Sequence, residues 1–286
     1  MRFSIITPSY RSSQWLKLCI ASVADQGVGV EHIVQDAGSD DGTLDWLPSD
    51  KRVKAFVEKD QGMYDAINRG LRRASGEIIA YLNCDEQYLP GALSAVEKFF
   101  EQHPSVDVVF GDVILTDAEG HYLSHRKMQT PLLYHTWVCQ LSTLSCGMFF
   151  RSHLVREKNI LFNPALRDAG DADWILRLLR EGTRMAVLRQ FTSVFTCTGA
   201  NLSAGANATR ERRELAQSAP GWVRWCKPFI VLHHRLRRLA GGMYFQSPFS
   251  YAIFTLQDPQ HRRVERAERP RFAWPRTVPQ GNEAGV

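Results

Sequence analysis

The chain has 286 residues, of which 44% are hydrophobic and 23% charged, enough for one large core or two small ones, and this composition excludes a wholly disordered polypeptide. Its net charge of +5 is uneven: from Asn207 onward 14 Lys and Arg stand against 6 Asp and Glu, which leaves 21 against 24 before it. A mildly acidic body thus carries a basic end, suited to an anionic surface such as lipid headgroups or nucleic acid.

Short apolar runs at residues 3–7, 31–35, 53–57 and 78–82 read as strands, with helices near 13–25, 43–47 and 63–75 between them. This alternation predicts an α/β fold with a parallel, doubly wound sheet. The 63–75 helix carries Tyr64, Ile67, Leu71 and Ala74 on one face, with Gly76 placed as its C-cap. A helix over 90–102 opens with Pro90 at its first position. Beyond Val106, runs at 106–115 and 121–126 flank a hairpin loop, so the second half is expected to be mixed or antiparallel. A helix near 171–181 and strands near 184–189 and 191–197 follow. From Pro228 a helix sets Phe229, Ile230, Leu232, Leu236 and Leu239 against His234, Arg235, Arg237 and Arg238. Such a basic amphipathic helix either docks on an anionic membrane surface or packs its apolar face on the domain. No motif for base contact accompanies the charge, which argues against nucleic acid. Residues 1–205 read as the main domain (1–110 and 111–205 as its halves), 206–257 as a basic helical extension, and 258–286, rich in Arg and Pro, as loop or disorder.

The six cysteines, Cys19, Cys84, Cys139, Cys146, Cys197 and Cys226, form no Cys-x-x-Cys pair, so neither a zinc knuckle nor a disulfide framework is suggested. No basic-then-apolar leader opens the chain and no apolar stretch nears ~18 residues, which predicts a cytoplasmic protein.

Four polar clusters carry chemistry. Asp36-Ala-Gly-Ser-Asp-Asp-Gly-Thr43 follows a strand; it is either turn and capping chemistry or, at Asp36, a carboxylate able to accept a pyrimidine imide N–H or a ribose hydroxyl. Glu58 to Gly70 places Asp65 and Asn68 on one helix face, as a capped surface helix or as part of a site. Asn83-Cys-Asp85-Glu86 ends an apolar strand, where open α/β sheets bind ligands. Its acids either favour the next helix's positive end or hold a hard cation such as Mg²⁺ or Mn²⁺, with Asp85 as ligand and Glu86 assisting. Asp168-Ala-Gly-Asp171-Ala-Asp173 precedes a helix; three carboxylates in six residues exceed what capping requires, and one can serve as a general base.

Taken in order, these motifs resemble glycosyltransferase family 2, whose nucleotide-binding half has the GT-A fold. Ser4-Ile-Ile-Thr-Pro-Ser-Tyr10 is similar to the family's first strand and nucleotide loop, Asp36 to Thr43 to its second-strand motif, and Asp60-Gln-Gly-Met-Tyr-Asp-Ala-Ile-Asn68 to its Asp-Lys-Gly-Ile-Tyr-Asp-Ala-Met-Asn segment. Tyr81 to Glu86 occupies the place of the Asp-x-Asp metal motif, Gly170-Asp171-Ala-Asp173 resembles the motif that supplies the base, and Thr198 to Ser203 resembles the loop after it. The resemblance runs over about residues 1–205 and implies Thr7, Pro8, Tyr10, Asp36, Gly38, Asp60, Gly62, Asp65 and Asn68 around the nucleotide, Asp85 at the metal, and Asp171 as base. Asn83, Glu86 and Asp173 are accessory. Asn83 stands where the stricter metal motif has Asp, Gln61 replaces a frequent Lys, and Leu144 to Phe149 lacks the frequent His-Gln.

The resemblance implies an inverting transferase, and the missing leader and the basic helix predict that it is cytoplasmic and peripheral on the inner face of the cell membrane. It would pass a sugar from a nucleotide-sugar donor to a glycan or lipid-linked acceptor in surface polysaccharide biosynthesis. The rival readings are sugar-phosphate nucleotidyltransfer, which needs a Gly-rich basic first loop that Thr7-Pro-Ser-Tyr10 lacks, and a non-catalytic carbohydrate-binding or assembly protein on the same fold.

Overall fold

A computed structural model describes residues 2–138, 141–199 and 206–274. Cys139, residues 200–203 of the loop resembling the family's, and the last twelve residues of the tail, 275–286, lie outside the described residues. The other five cysteines are free.

The elements are β1 (Phe3–Ser9), α1 (Ser13–Ala24), β2 (Val30–Asp36), α2 (Thr43–Trp46), β3 (Lys54–Val57), α3 (Met63–Arg73), β4 (Ile78–Tyr81), β5 (Glu86–Tyr88) and α4 (Ala92–Gln102). There follow β6 (Val108–Thr116), β7 (Tyr122–Arg126), α5 (Leu133–Val138), β8 (Met148–Arg151), α6 (His153–Arg156), α7 (Gly170–Arg180), β9 (Met185–Thr196), α8 (Ala206–Gln217), α9 (Gly221–Trp225), α10 (Lys227–Ala240), β10 (Phe249–Ile253) and β11 (Arg263–Ala267). The main sheet runs β3-β2-β1-β4-β8-β6-β9-β5, with β7 on β6 and a separate β10-β11 pair.

The first four strands are parallel, with Ile6 opposite both Ile33 and Tyr81. β1 and β4 are buried on both faces, as parallel strands between helix layers must be. Their carboxyl ends therefore open on one side, and that side carries the cleft described below. From β8 onward the sheet is mixed: β8 is antiparallel to β4 and β6, β9 parallel to β6, and β5 antiparallel to β9. The α/β class and the mixed second half are as expected.

Several details differ from the sequence expectation. Pro90 precedes α4 instead of starting it, because Gly91 takes the left-handed φ of +73° and becomes the N-cap. Gly76 does not cap α3, which ends against Ala74; it lets the chain cross β1, where a Cβ would meet the Phe3 carbonyl carbon at 2.6 Å. The two strands read at 184–189 and 191–197 are one strand, β9, whose register against β6 shifts between Gly111 and Val113. Within the tail from 258, residues 263–267 form β11, which pairs with β10, and Arg262 donates to both Asp25 oxygens (2.6 and 2.8 Å) and to the Tyr88 carbonyl (3.0 Å). The sequence gives no sign of Arg262's role because its partners are backbone carbonyls and one acid far away in the chain. Among the described residues no helix is long and apolar enough to cross a membrane.

Candidate active site

A cleft of about 1420 Å³ lies at the carboxyl ends of β1, β2 and β4. Its walls are the loop after β1 (Pro8 to Ser12), the turn after β2 (Ala37, Gly38), the entry to α3 (Lys59, Asp60, Gly62), the turn after β4 (Asn83, Cys84, Asp85) and the entry to α7 (Arg167 to Ala172). Trp137, Arg212, Leu215 and Trp274 line it from the C-terminal half.

Asp36 builds the β2 turn. Its Oδ1 accepts from the amides of Gly38 (2.9 Å) and Ser39 (2.7 Å), its Oδ2 from the hydroxyls of Ser9 (2.7 Å) and Ser39 (2.8 Å). Four bonds use the capacity of a carboxylate, so Asp36 is buried behind the turn and presents Gly38 to the cleft in its place. At the mouth of α3, Asp60 accepts from the Gly62 amide (2.8 Å), and burial raises its pKa. Gly62 has φ +130°, and the Arg167 guanidinium fills the space where a Cβ would lie while donating to the Gln61 carbonyl. That position requires glycine twice over, by backbone and by space.

The acidic residues are electrostatically crowded. Asp85 faces the cleft, and burial pushes its pKa up to about 6. Glu86 lies behind it, fully buried; its Oε2 accepts from the Asn83 amide (2.8 Å) and its Oε1 has no hydrogen-bond partner among the described residues. Burial, then the charges of Asp85 and Asp171, push Glu86 up to about 8. Asp171, from the first turn of α7, is raised to about 6 by burial, against a bond from the Tyr81 hydroxyl to its Oδ1 that lowers it. Tyr81 itself stays protonated, because burial and the Asp171 charge hold its pKa well above the usual tyrosine value. The repulsion that Glu86 feels from Asp85 and Asp171 favours an added proton or a nearby cation.

The acids and the unpartnered Oε1 fit a hard cation, which takes oxygen ligands and keeps open positions for substrate phosphates. Asp85 would be the ligand at the cleft wall, with Glu86 behind it. Among the described residues, the grouping of three possible ligand side chains with mutually close atoms is elsewhere, at Asp117, Glu119 and His121 in the β6–β7 turn. The cleft thus offers a partial site.

Asp171 is positioned by packing. Phe162 stacks between Tyr64 (5.5 Å) and Trp174 (5.0 Å) and meets Tyr81 edge-on (5.5 Å), and the Tyr64 hydroxyl accepts from the Asp171 amide (3.3 Å). The preceding turn is clamped by Glu211 of α8, whose carboxylate accepts from the amides of Arg167 (2.8 Å), Asp168 and Ala169 (2.9 Å each). Burial alone would raise the Glu211 pKa, but these three donors lower it below the ordinary value.

Of the residues singled out from sequence, Pro8, Tyr10, Gly38, Asp60, Gly62, Asn83, Asp85 and Asp171 meet along the cleft. The others do not line it. Thr7 turns into the core, bonded to His32 Nε2 (2.9 Å), because it alternates with the residues that follow it. Asn68 clamps the Phe162 backbone through both amide atoms (2.8 and 2.9 Å), Asp65 bonds the Gln61 amide (3.1 Å) and Arg69 (2.9 Å), and Asp173 pairs with Arg177 (2.9 Å). These are supports of the site's frame. Arg167, Glu211 and Trp137 were not foreseen. Glu211 sits among arginines, and its partners are backbone amides that leave no trace in side-chain spacing.

Residues 4–158 match the family model described as glycosyl transferase family 2. A Mycobacterium tuberculosis protein named as a PGL/p-HBAD biosynthesis glycosyltransferase is 38% identical over 120 residues, 40% of this chain and 47% of that protein. The Bacillus subtilis minor teichoic acid biosynthesis protein GgaA is 25% identical over 203 residues, 66% of this chain and 45% of its own length. The chain spans about half the length of these curated relatives. Among solved structures, Staphylococcus aureus TarS in complex with UDP-GlcNAc superposes with a TM-score of 0.61 at 20% identity, over 84% of this chain and 73% of that one. Mannosyltransferase PcManGT from Pyrobaculum calidifontis, in complex with GDP-Man and Mn²⁺, gives 0.55 at 17% identity, over 86% and 76%. These likenesses show the GT-A type of fold.

Proposed function

Since the chain belongs to glycosyl transferase family 2, we propose that it is an inverting transferase moving a sugar from a nucleoside-diphosphate sugar to a hydroxyl of a glycan or lipid-linked acceptor, in polysaccharide or glycolipid biosynthesis. One observation carries this reading: Asp85 and Asp171, 86 positions apart in sequence, line the same cleft with pKa values raised toward neutrality.

A sugar hydroxyl is a poor nucleophile until a base takes its proton, and a base near the working pH does so best. Asp171 is that base. Its Oδ2 side accepts the acceptor proton as the hydroxyl oxygen bonds to the anomeric carbon and the bond from that carbon to the diphosphate oxygen breaks on the opposite face. The nucleoside diphosphate leaves with both electrons of that bond. Tyr81 holds the carboxylate in place through its hydrogen bond. The turn built by Asp36 and the loop with Pro8 and Tyr10 bracket the nucleoside, with Asp60 and Gly62 beside it, and Lys59 and Arg167 add positive charge for the phosphates. Bound Mg²⁺ or Mn²⁺ at Asp85 would neutralise charge developing on the leaving diphosphate. In this reading residues 1–110 hold the donor, 111–205 serve the acceptor, 206–257 are an accessory extension, and the enzyme works on the cytoplasmic side. The relatives' names, for PGL/p-HBAD and minor teichoic acid biosynthesis, support an acceptor of that kind.

The test is a panel of nucleotide sugars with and without Mn²⁺, read as nucleoside-diphosphate release and thermal stabilisation. Asp171→Asn should keep donor binding and lose about 10²- to 10⁴-fold in turnover. A protein that binds no donor under either condition sinks the transferase reading, and a variant as fast as the native chain sinks the assignment of the base.

A further inference from the structure

The C-terminal helices are fastened to the body by their polar face. In α10 the buried side chain is His234. Its neighbours hold the domain too: His233 Nδ1 meets His135 Nε2 (3.0 Å) and Arg237 donates to the Thr130 carbonyl (3.1 Å). Val223 and Ile230 complete the attachment against Trp137 and Leu176. A row of large apolar side chains faces outward. Trp222, Trp225, Phe229, Leu232, Leu236 and Leu239 are each between 53% and 79% exposed. Spacing of three and four residues draws Phe229, Leu232, Leu236 and Leu239 into one stripe on α10, and Trp222 and Trp225 share a face of α9. An ordinary domain helix turns such a stripe inward, so this one is inverted. At 150–250 Å² per aromatic side chain, half-exposed groups of this size add up to roughly 600 Å² of apolar surface, at the upper end of what a monomer displays without a partner.

Charge says which partner. From residue 215 to 257 the chain contains no Asp or Glu, while Arg224, Lys227 and Arg235 are exposed on the same two helices. A second copy docking through a two-fold axis would set these cations against themselves. Leucine and tryptophan bordered by Lys and Arg instead match a bilayer, apolar below the headgroups and anionic at them. The patch also adjoins the site: Trp222 meets Tyr134 edge-on (4.9 Å), Tyr134 stacks on Trp137 (6.3 Å), and Trp137 lines the cleft.

We infer that α9 and α10 are a docking surface for an anionic lipid bilayer, which sets the rim of the cleft at the membrane. The surface itself needs no transferase activity. The consequence, that a lipid-borne acceptor enters the cleft past Trp137, rests on the proposed function. No helix needs to cross the membrane for this; the stripe lies in the headgroup boundary.

The test uses the full chain and unilamellar vesicles, by sedimentation at low salt. Vesicles with one quarter phosphatidylglycerol in phosphatidylcholine should bind the protein at least tenfold more strongly than phosphatidylcholine alone. Replacing Arg224, Lys227 and Arg235 with Gln should weaken binding by about a hundredfold, each cation being worth about fivefold at an anionic surface. The combination Trp225→Ser, Phe229→Ser and Leu236→Ser, all at exposed positions, should abolish it with an unchanged melting temperature. Brominated lipids should quench tryptophan fluorescence in the native protein, and less in Trp222→Phe with Trp225→Phe, which reports that this face is the one immersed. Equal binding by native and variant proteins overturns the inference, as does light scattering that shows a dimer dissociated by the serine variant. Donor binding, followed by thermal stabilisation in the same samples, separates the two readings: its loss with vesicle binding intact sinks the transferase, and the reverse sinks the docking surface.

Discussion

Removing the Tyr81 hydroxyl tests the base directly. In the native structure that hydroxyl donates to Asp171 Oδ1 and favours the ionised carboxylate, opposing the burial that has already raised it to about 6. A hydrogen bond to a charged group contributes about 1.5–3 kcal/mol, and 1.36 kcal/mol corresponds to a tenfold change in proton affinity. Tyr81→Phe should therefore move the acid limb of the kcat/KM profile from about 6 to about 7–8. At pH 7 the ionised fraction of Asp171 would fall from about nine-tenths to between one-half and one-tenth. The expected loss is about two- to tenfold at pH 7 and little or none at pH 9. The assay is the pH dependence of nucleoside-diphosphate release in the native and Phe proteins, with melting temperatures recorded alongside. A uniform loss at every pH, with the limb unmoved, would mean that Tyr81 acts by packing against Phe162 and has no hold on the proton. A limb moving to lower pH would refute the sign of the reasoning altogether.

The acids beside Asp171 make two further effects measurable. Asp85 and Glu86 have folded pKa values raised to about 6 and about 8, so between their ordinary values and these the folded protein holds protons that the unfolded chain has released. Metal-free stability should then fall as pH rises through that window, while stabilisation by Mn²⁺, which needs the carboxylates ionised, should grow from pH 5.5 to 8. Thermal melts across that range check both, and Mn²⁺ stabilisation that persists undiminished in Asp85→Asn would remove Asp85 from the metal. Glu211→Ala should strand the amides of residues 167–169 and cost about 2–4 kcal/mol in urea unfolding, with Glu211→Gln losing less. A cost below about 0.5 kcal/mol would show that the α7 entry holds its shape without the clamp.

Much of the first half of the fold was legible because its physics is local. Buried parallel strands are continuous apolar runs, and their ends announce themselves by turns of Gly, Asp and Ser. Asp85 and Asp171, which line one cleft, stood out for the same reason, as acids at a strand end and a helix start. What escaped was decided by contacts distant in sequence. β5 and β8 are three and four residues long, too short for any periodicity, and exist because β9, β4 and β6 offer open edges. Thr7 and Asn68 bear the right chemistry in the right motifs, yet one faces His32 and the other Phe162, and only the packed core decides which side of an element meets the cleft.

The C-terminal helix shows where periodicity stops being informative. Its stripe of Phe229, Leu232, Leu236 and Leu239 is plain in the sequence, and a stripe says only that one face must leave water. It does not say for what. Here the domain takes the opposite face, through His234 and Arg237, side chains that would be assigned to solvent by polarity alone. Arg237 is half-buried because the Thr130 carbonyl and His135 Nδ1 take its N–H groups, while His234 is buried edge-on to His135 with its Nδ1 unpartnered among the described residues, and burial keeps His135 and His234 neutral by lowering both to about 4. A helix attached this way has spent its polar face on the protein and keeps its apolar face for something else. Its position beside Trp137 ties that choice to the cleft, so the arrangement that hides histidines and displays leucines is better explained by a surface the chain must meet than by what holds it folded.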